Sequence, residues 1–394
     1  MSKILLLTAN FHIGGAQRVL ANLSSLLAEK HEIYIGIFDA RNIGYRCKGK
    51  IIDLNVPVSS NLIGKTLNFL KRIYKTARFK KKEHIDITIS FCEGANIVSL
   101  LSGYSKNILT VHSYKSRDNF GFYGFIFKYL MKFFYNRADK IVAVSEGASK
   151  DLITNFSVQA QKTISIHNFI DQQKITQLST EAIEPELKNI FKTPTLITVG
   201  RLSEPKGQWH LLRIFKQTKK TIPNLKLLIL GDGELREKLI KLSHDLSLKT
   251  YSAWDQAKLL DDSYDVYFLG FTDNIFKYMA HSSIFVFTSL WEGFGNVLIE
   301  AMACRLPVIA TDCKHGPREI LGAKYGILVP ALSDQWLNTE ELTKEEQKFA
   351  KTILMLLNDP ALSQDYRQKG YFRAQDFDVA QIKDQWFQII KELG

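Results

Sequence analysis

The sequence predicts an α/β protein built from two parallel-sheet domains, on three observations. Its 394 residues exceed what a single core usually organises, so two domains of ordinary size are expected. Apolar, β-branched runs alternate with helical patterns through both halves, as in successive βα units. A polar, acidic stretch over 172–193 has no strand pattern and reads as the connector.

In the first half, strands are expected at Ile4–Leu7, Ile33–Phe38, Ile85–Phe91, Ile108–Val111 and Ile141–Val144. The second half opens with Leu196–Gly200 and continues with Leu227–Leu230, Val266–Leu269, Ile284–Phe287 and Val308–Ala310. Residues 251–265, YSAWDQAKLLDDSYD, look inserted before the strand at Val266 and read as an extra surface loop. The chain closes on an amphipathic helix through Trp386, Ile389 and Ile390.

Apolar residues make up 45%, enough for two cores, and the net charge of +12 is uneven. Residues 1–180 hold 25 Lys and Arg against 12 Asp and Glu, and the remainder holds 27 against 28. Any acidic surface this protein meets is therefore met by its first half. Cys47, Cys92, Cys304 and Cys313 follow no disulfide framework, and the four apolar residues after Lys3 are too few for a signal-peptide core. Both features predict a reduced, cytoplasmic protein. No apolar run approaches the roughly 18 residues that cross a bilayer. Cys304, Cys313 and His315 match no zinc spacing, and Asp376-Phe377-Asp378 reads as a helix N-cap rather than a metal-binding triplet. No cofactor and no metal are expected.

The densest chemistry lies in residues 288–317, TSLWEGFGNVLIEAMACRLPVIATDCKHGP. A buried strand leads into Glu292, Gly293 and Gly295 open a turn, and a helix comes next with Glu300 two turns into it. Glu292 thus stands at the carboxyl end of a strand, where open α/β sheets bind ligands, and the backbone N–H groups of Phe294, Gly295 and Asn296 at the helix start suit an anion. Two further strand ends carry related signals. The first strand runs into Gly14-Gly15, which lets a phosphate approach the backbone, although a tight turn without ligand has the same form. The strand ending at Gly200 runs into Arg201 and Lys206, fixed cations able to stabilise a departing diphosphate, or else solvated loop charges.

Glu292, seven residues, Glu300, then Ala-Met-Ala and the strand at Pro307–Thr311, with Gly293-Phe294-Gly295 between and Gly316-Pro317-Arg318-Glu319 after, resembles the nucleotide-sugar site of the retaining glycosyltransferases of family 4. The resemblance covers nearly the whole chain, with its specificity concentrated in residues 196–330. It implies the GT-B fold: two Rossmann-like domains facing across a cleft, here 1–171 completed by 375–394, and 172–374, with the C-terminal helix crossing back to the first domain. It implies that Gly14, Gly15, Arg201 and Lys206 hold the donor diphosphate, that Glu300 holds the ribose, and that Glu292 and His112, which comes after the strand ending at Val111, reach the transferred sugar. Gly231-Asp232-Gly233-Glu234 resembles the family's loop beside the donor, and Gly270, Phe271 and Thr272 fit the loop whose backbone reads the base.

The expected activity is retaining transfer of a hexose or N-acetylhexosamine from a nucleotide sugar, a UDP-sugar by preference, to a hydroxyl of a lipid-linked or surface glycan. A same-fold sugar-nucleotide epimerase and an inactive subunit binding glycans or membranes are the rival readings. Residues 61–82 contain eight basic side chains and no acid, with Ile63, Leu67, Leu70 and Tyr74 at helical spacing, and residues 120–135 hold nine Phe or Tyr. Basic amphipathic helices with aromatic faces attach to anionic bilayers, so a peripheral place on the inner membrane face is expected, against the plainer reading of a core helix and its solvated partner. No nucleic-acid motif accompanies the basic residues.

Overall fold

The computed structural model describes residues 1–11, 14–113, 115–117, 129–255, 257 and 259–394. The chain divides into two compact units, Met1–Phe169 with Val379–Gly394, and Ile170–Asp378.

The first unit is a seven-stranded parallel sheet of β1 (Lys3–Phe11), β2 (Glu32–Ile43), β3 (Lys50–Asp53), β4 (Ile87–Phe91), β5 (Lys106–Val111), β6 (Lys140–Ala143) and β7 (Thr163–Ser165), in the order 3-2-1-4-5-6-7. Its central strands are buried on both faces, which is why they read as continuous apolar runs. Helix Gly15–Leu27 and the terminal helix Val379–Leu393 share one core with β1, β2 and β4, to which the latter contributes Ile382, Trp386, Ile389 and Ile390. The closing helix therefore returns to the unit in which the chain began.

The second unit repeats the architecture with β8 (Thr195–Val199), β9 (Lys226–Leu230), β10 (Thr250–Ser252), β11 (Val266–Gly270), β12 (Ile284–Phe287), β13 (Val308–Thr311) and β14 (Ile327–Val329), in the order 10-11-9-8-12-13-14. The order turns back between β8 and β12, the kind of crevice in which open sheets take ligands. A buried ionic cluster secures one face. Glu346 accepts from Arg213 at 3.0 Å, lies 2.7 Å from His210 Nδ1 and forms a capping box with Thr343 at the start of helix Lys344–Asn358.

One expectation about the fold needs correction. Thr250–Ser252 is the edge strand β10, paired in register with Val266–Phe268, so the segment 251–265 begins as sheet and becomes loop only after Ser252. Asp378 directly precedes helix Val379–Leu393, and its carboxylate accepts from the Gln172 N–H at 3.0 Å. Residues 120–128 of the aromatic run lie outside the described residues; of the rest, Met131 and Tyr135 are core while Tyr129 and Phe133 are exposed.

Lys80, on helix Leu62–Glu83, is fully buried, its ammonium donating to the Ser99 carbonyl at 3.0 Å. Burial lowers its pKa to about 7. An unfolded lysine holds its proton to roughly 10.4, so unfolding takes up a proton between these values and stability rises with pH across that window. At 1.36 kcal/mol per unit the gain is on the order of 5 kcal/mol. In urea titrations at pH 7 and 9.5, Lys80→Met is expected to flatten this rise relative to the parent chain, and an unchanged slope would refute the assignment.

Candidate functional site

The second unit's site is assembled from the loops at the ends of neighbouring strands. The loop after β8 and the loop after β12 are tied to each other: the Leu290 N–H donates to the Pro205 carbonyl at 2.8 Å and Thr288 Oγ1 donates to the Lys206 carbonyl at 3.1 Å. Gly207 sits at φ 57°, and a Cβ there would stand 2.5 Å from the Thr288 carbonyl oxygen, so only glycine permits this approach. The next loop closes in the same way. At Gly316, φ 83°, a Cβ would stand 2.1 Å from the Phe294 carbonyl oxygen.

This lacing brings Lys206 to Glu292. Their side chains form an ion pair, 23% and 12% exposed, Ser289 Oγ donates to the same Glu292 oxygen at 2.8 Å, and the Lys206 ammonium lies 5.4 Å from the Phe287 ring centre. A cation and a carboxylate thus meet above the switch point between β8 and β12. Burial, with the Glu292 charge adding to it, lifts the neighbouring Cys313 thiol to about 12, so it stays protonated and unreactive.

Helix Asn296–Ala303 begins after Gly295, which is left-handed at φ 96°, and Phe294 is buried against Phe377. Glu300 is the helix's fifth residue, so it lies about one turn in rather than two, and it is 5% exposed. A carboxylate that deep is costly without polar company and is the kind of group kept for a ligand or a network. Arg201 is placed differently from Lys206. Its guanidinium is 71% exposed and pairs at 3.0 Å with Glu234 in the loop after β9, not with Glu292. Gly270, at φ 69° at the end of β11, accepts from the Gly231 N–H at 2.8 Å, while Phe271 is 48% exposed and Thr272 comes next in the same loop.

In the first unit, Gly14 caps helix Gly15–Leu27 in an extended conformation, φ −178°, and Gly15 opens the helix with no described residue within 4 Å of where a Cβ would stand. His112 stands just after β5, stacked on Phe91 with ring centres 5.4 Å apart, beside a small cavity also lined by Thr110, Asn168 and Trp386. Burial, with the charge of Lys115 adding to it, holds the imidazole's pKa down at about 3, so the ring is neutral at any physiological pH. Hydrogen-bond accounting gives its tautomer. Thr110 Oγ1 donates its one proton to the Ser90 carbonyl at 2.7 Å and lies 2.8 Å from His112 Nε2, so Nε2 carries the ring proton and donates to Thr110. Nδ1 is then a buried acceptor with no partner among the described residues. Such a nitrogen can accept from a hydroxyl.

Thr110, Ser90 and Ser289 were not singled out in the sequence; the only signal was a hydroxyl at or next to a strand end. Among the described residues, no group of three or more His, Cys, Asp or Glu is disposed to hold a metal ion.

With the geometry in place, comparison with known proteins is specific. Residues 13–174 match the family model described as Glycosyltransferase Family 4, and residues 179–373 match Glycosyl transferases group 1. An uncharacterized glycosyltransferase of Methanocaldococcus jannaschii is 36% identical over 392 residues, covering 91% of this chain and 92% of that protein. The Campylobacter jejuni N-acetylgalactosamine-N,N'-diacetylbacillosaminyl-diphospho-undecaprenol 4-alpha-N-acetylgalactosaminyltransferase is 31% identical, covering 97% of each. Among solved structures, Anabaena HepE in complex with UDP-glucose superposes with a TM-score of 0.75 at 19% identity over 100% of both chains. Sucrose-phosphate synthase of Thermosynechococcus elongatus reaches 0.77 at 19% identity, over 100% of this chain and 99% of that one.

The tautomer is open to test by 15N NMR of the imidazole ring. The parent chain is expected to show a neutral, Nε2-protonated His112 that does not titrate between pH 5 and 8. Thr110→Val should mix the tautomers, and Thr110→Ser should restore the single form. An Nδ1-protonated ring in the parent chain would contradict the derivation.

Proposed function

The chain belongs to the glycosyltransferases of the family 4 and group 1 type, with the GT-B fold, and from that premise we propose retaining transfer of a hexose or N-acetylhexosamine from a UDP-sugar to a hydroxyl of a lipid-linked or surface glycan. The observation that carries this reading is the Lys206–Glu292 pair above the switch point of the second sheet. A nucleoside diphosphate leaves with growing negative charge, and a partly buried ammonium already fixed at the crevice stabilises that charge without reorganising. UDP is favoured because solved relatives of the same fold hold UDP or UDP-glucose. A lipid-linked acceptor is favoured because two Campylobacter jejuni relatives are named for transfer onto undecaprenol-linked glycans.

In this reading Lys206 takes the diphosphate, with Arg201 leaving Glu234 to join it. Glu300 holds the ribose, the turn Phe294-Gly295-Asn296 offers N–H groups to sugar or phosphate, and the backbone of Gly270, Phe271 and Thr272 meets the base. Glu292 and His112 hold sugar hydroxyls, the latter through the Nδ1 lone pair, and Gly14 and Gly15 give backbone N–H groups to the diphosphate. The acceptor oxygen bonds to the anomeric carbon on the face from which the diphosphate departs. The bond from that carbon to the phosphate oxygen breaks with its electron pair, and the acceptor's proton passes to the departing phosphate. Glu292, neutralised by Lys206 and occupied by Ser289, is suited to steady an oxocarbenium-like state rather than to attack it.

Incubation with UDP-N-acetylgalactosamine, UDP-N-acetylglucosamine or UDP-glucose and an undecaprenyl-diphosphate-linked glycan should give an α-linked product and free UDP with one of them. Glu292→Gln should lower kcat by about 10²-fold or more while the melting temperature holds. A β-linked product would refute retention, and near-normal turnover by the variant would refute the role of Glu292.

A further inference from the structure

The loop after β8 is closed into a ring by Gln208. This residue opens helix Gln208–Thr221 directly after Gly207, and its amide nitrogen donates to the Arg201 carbonyl at 2.9 Å. The bond reaches from the end of the loop back to its start, so Arg201 and Lys206 are presented from one closed frame. Ser203 Oγ stands 3.5 Å from the same carbonyl, too far to replace it. Gln208 is 2% exposed, which keeps water from competing for the bond. The helix that carries it is fixed in turn: Trp209 Nε1 donates to the Gln335 carbonyl at 3.0 Å, and His210 and Arg213 meet Glu346 at 2.7 and 3.0 Å.

The peptide that Gln208 holds is pinned at both of its polar atoms. The Leu202 N–H donates to the Asp232 carbonyl at 3.1 Å, while the Arg201 carbonyl is taken by Gln208, so the plane joining the two residues is held against rotation. Beyond that plane the Arg201 guanidinium is 71% exposed and paired with Glu234 at the surface, where an ion pair is weak. Arg201 is thus fixed where it joins the loop and exchangeable where it meets an anion. The Gln208 amide can be oriented as well, since turned over it would set oxygen against the Arg201 carbonyl. Its Oε1 is then buried with no partner among the described residues. A side chain serving packing alone would bury no such oxygen, and the donor on Arg201 is what distinguishes glutamine from an apolar residue here.

We propose that Gln208 is a positioning residue of the donor site, holding the Arg201 peptide so that the guanidinium passes from Glu234 to a nucleotide's diphosphate without the loop rearranging. It acts through Arg201, not on the ligand itself. A frame set before binding spares the ordering that a loose loop would undergo, so the effect falls on the diphosphate and not on the nucleoside. The inference rests on the proposed function, in which Arg201 and Lys206 take the diphosphate.

The test is a double-mutant cycle on the full chain, read by calorimetric titration with UDP and with uridine. Gln208→Met, close to the parent residue in volume, should weaken UDP binding about fivefold and leave uridine binding unchanged, and Gln208→Leu stands in if the methionine chain does not fold. In an Arg201→Ala background the same change should weaken UDP binding no further. Gln208→His, which returns an N–H at similar reach, should recover most of the loss. Parental UDP affinity in the apolar variant, a loss shared by uridine, or an undiminished loss in the Arg201→Ala background would each overturn the proposal. UDP affinity that survives both Arg201→Ala and Lys206→Ala would instead overturn the diphosphate grip in the proposed function, a result that the Gln208 variants alone do not give.

Discussion

The site in the second unit depends on backbone meeting backbone. The loops after β8 and β12 come within contact because Gly207 leaves room for the Thr288 carbonyl, and Gly316 does the same for the Phe294 carbonyl one loop further on. A methyl group at either place would push the loops apart, and Lys206 and Glu292 are carried on those loops. The hydrogen bonds from Leu290 to Pro205 and from Thr288 to Lys206 hold the approach once glycine has allowed it. A charge pair that would be weak and mobile on a surface is thereby held in place and partly withdrawn from water. Preorganisation of this kind is what electrostatic stabilisation of a leaving group requires.

The first unit solves a different problem with the same economy. His112 is made neutral by burial and given one tautomer by Thr110, whose own proton is committed to Ser90. Beneath it, Asn96 donates to the Thr110 carbonyl at 3.1 Å and to Tyr135 Oη at 3.0 Å, and accepts from Ser90 Oγ at 2.7 Å, so β4, β5 and helix Glu93–Ser102 are locked around the strand that presents the imidazole. The polar atoms of this network are spent on orientation, and among the described residues His112 Nδ1 is its one buried side-chain nitrogen or oxygen without a hydrogen-bond partner.

The ten strands expected from apolar runs are all present, and the four that went unread, β3, β7, β10 and β14, are the four sheet edges. An edge strand is paired on one side only, so KIID, TIS, TYS and ILV are short and only partly buried, and too little of the apolar signal is left to read. The pair Glu292 and Glu300 was legible because a strand, a glycine turn and a helix succeed one another within a few residues. Arg201 was not equally legible: its neighbour Glu234 is 33 residues away and no local pattern announces the pairing. Helical spacing grouped Ile63, Leu67, Leu70 and Tyr74, but periodicity assigns residues to a common face without saying which way the face points. That required knowing that Phe69, Ile73 and Phe79 had already filled the inner side.

The claim that most of this account rests on is that the cations after β8 grip a nucleotide's diphosphate. Calorimetric titration of the intact chain with UDP and with uridine tests it most directly. UDP should bind about 100-fold more tightly than uridine, and Lys206→Ala should erase most of that difference while leaving the uridine affinity nearly unchanged. Equal affinity for the two ligands, or a preference for UDP that survives loss of Lys206, would contradict it.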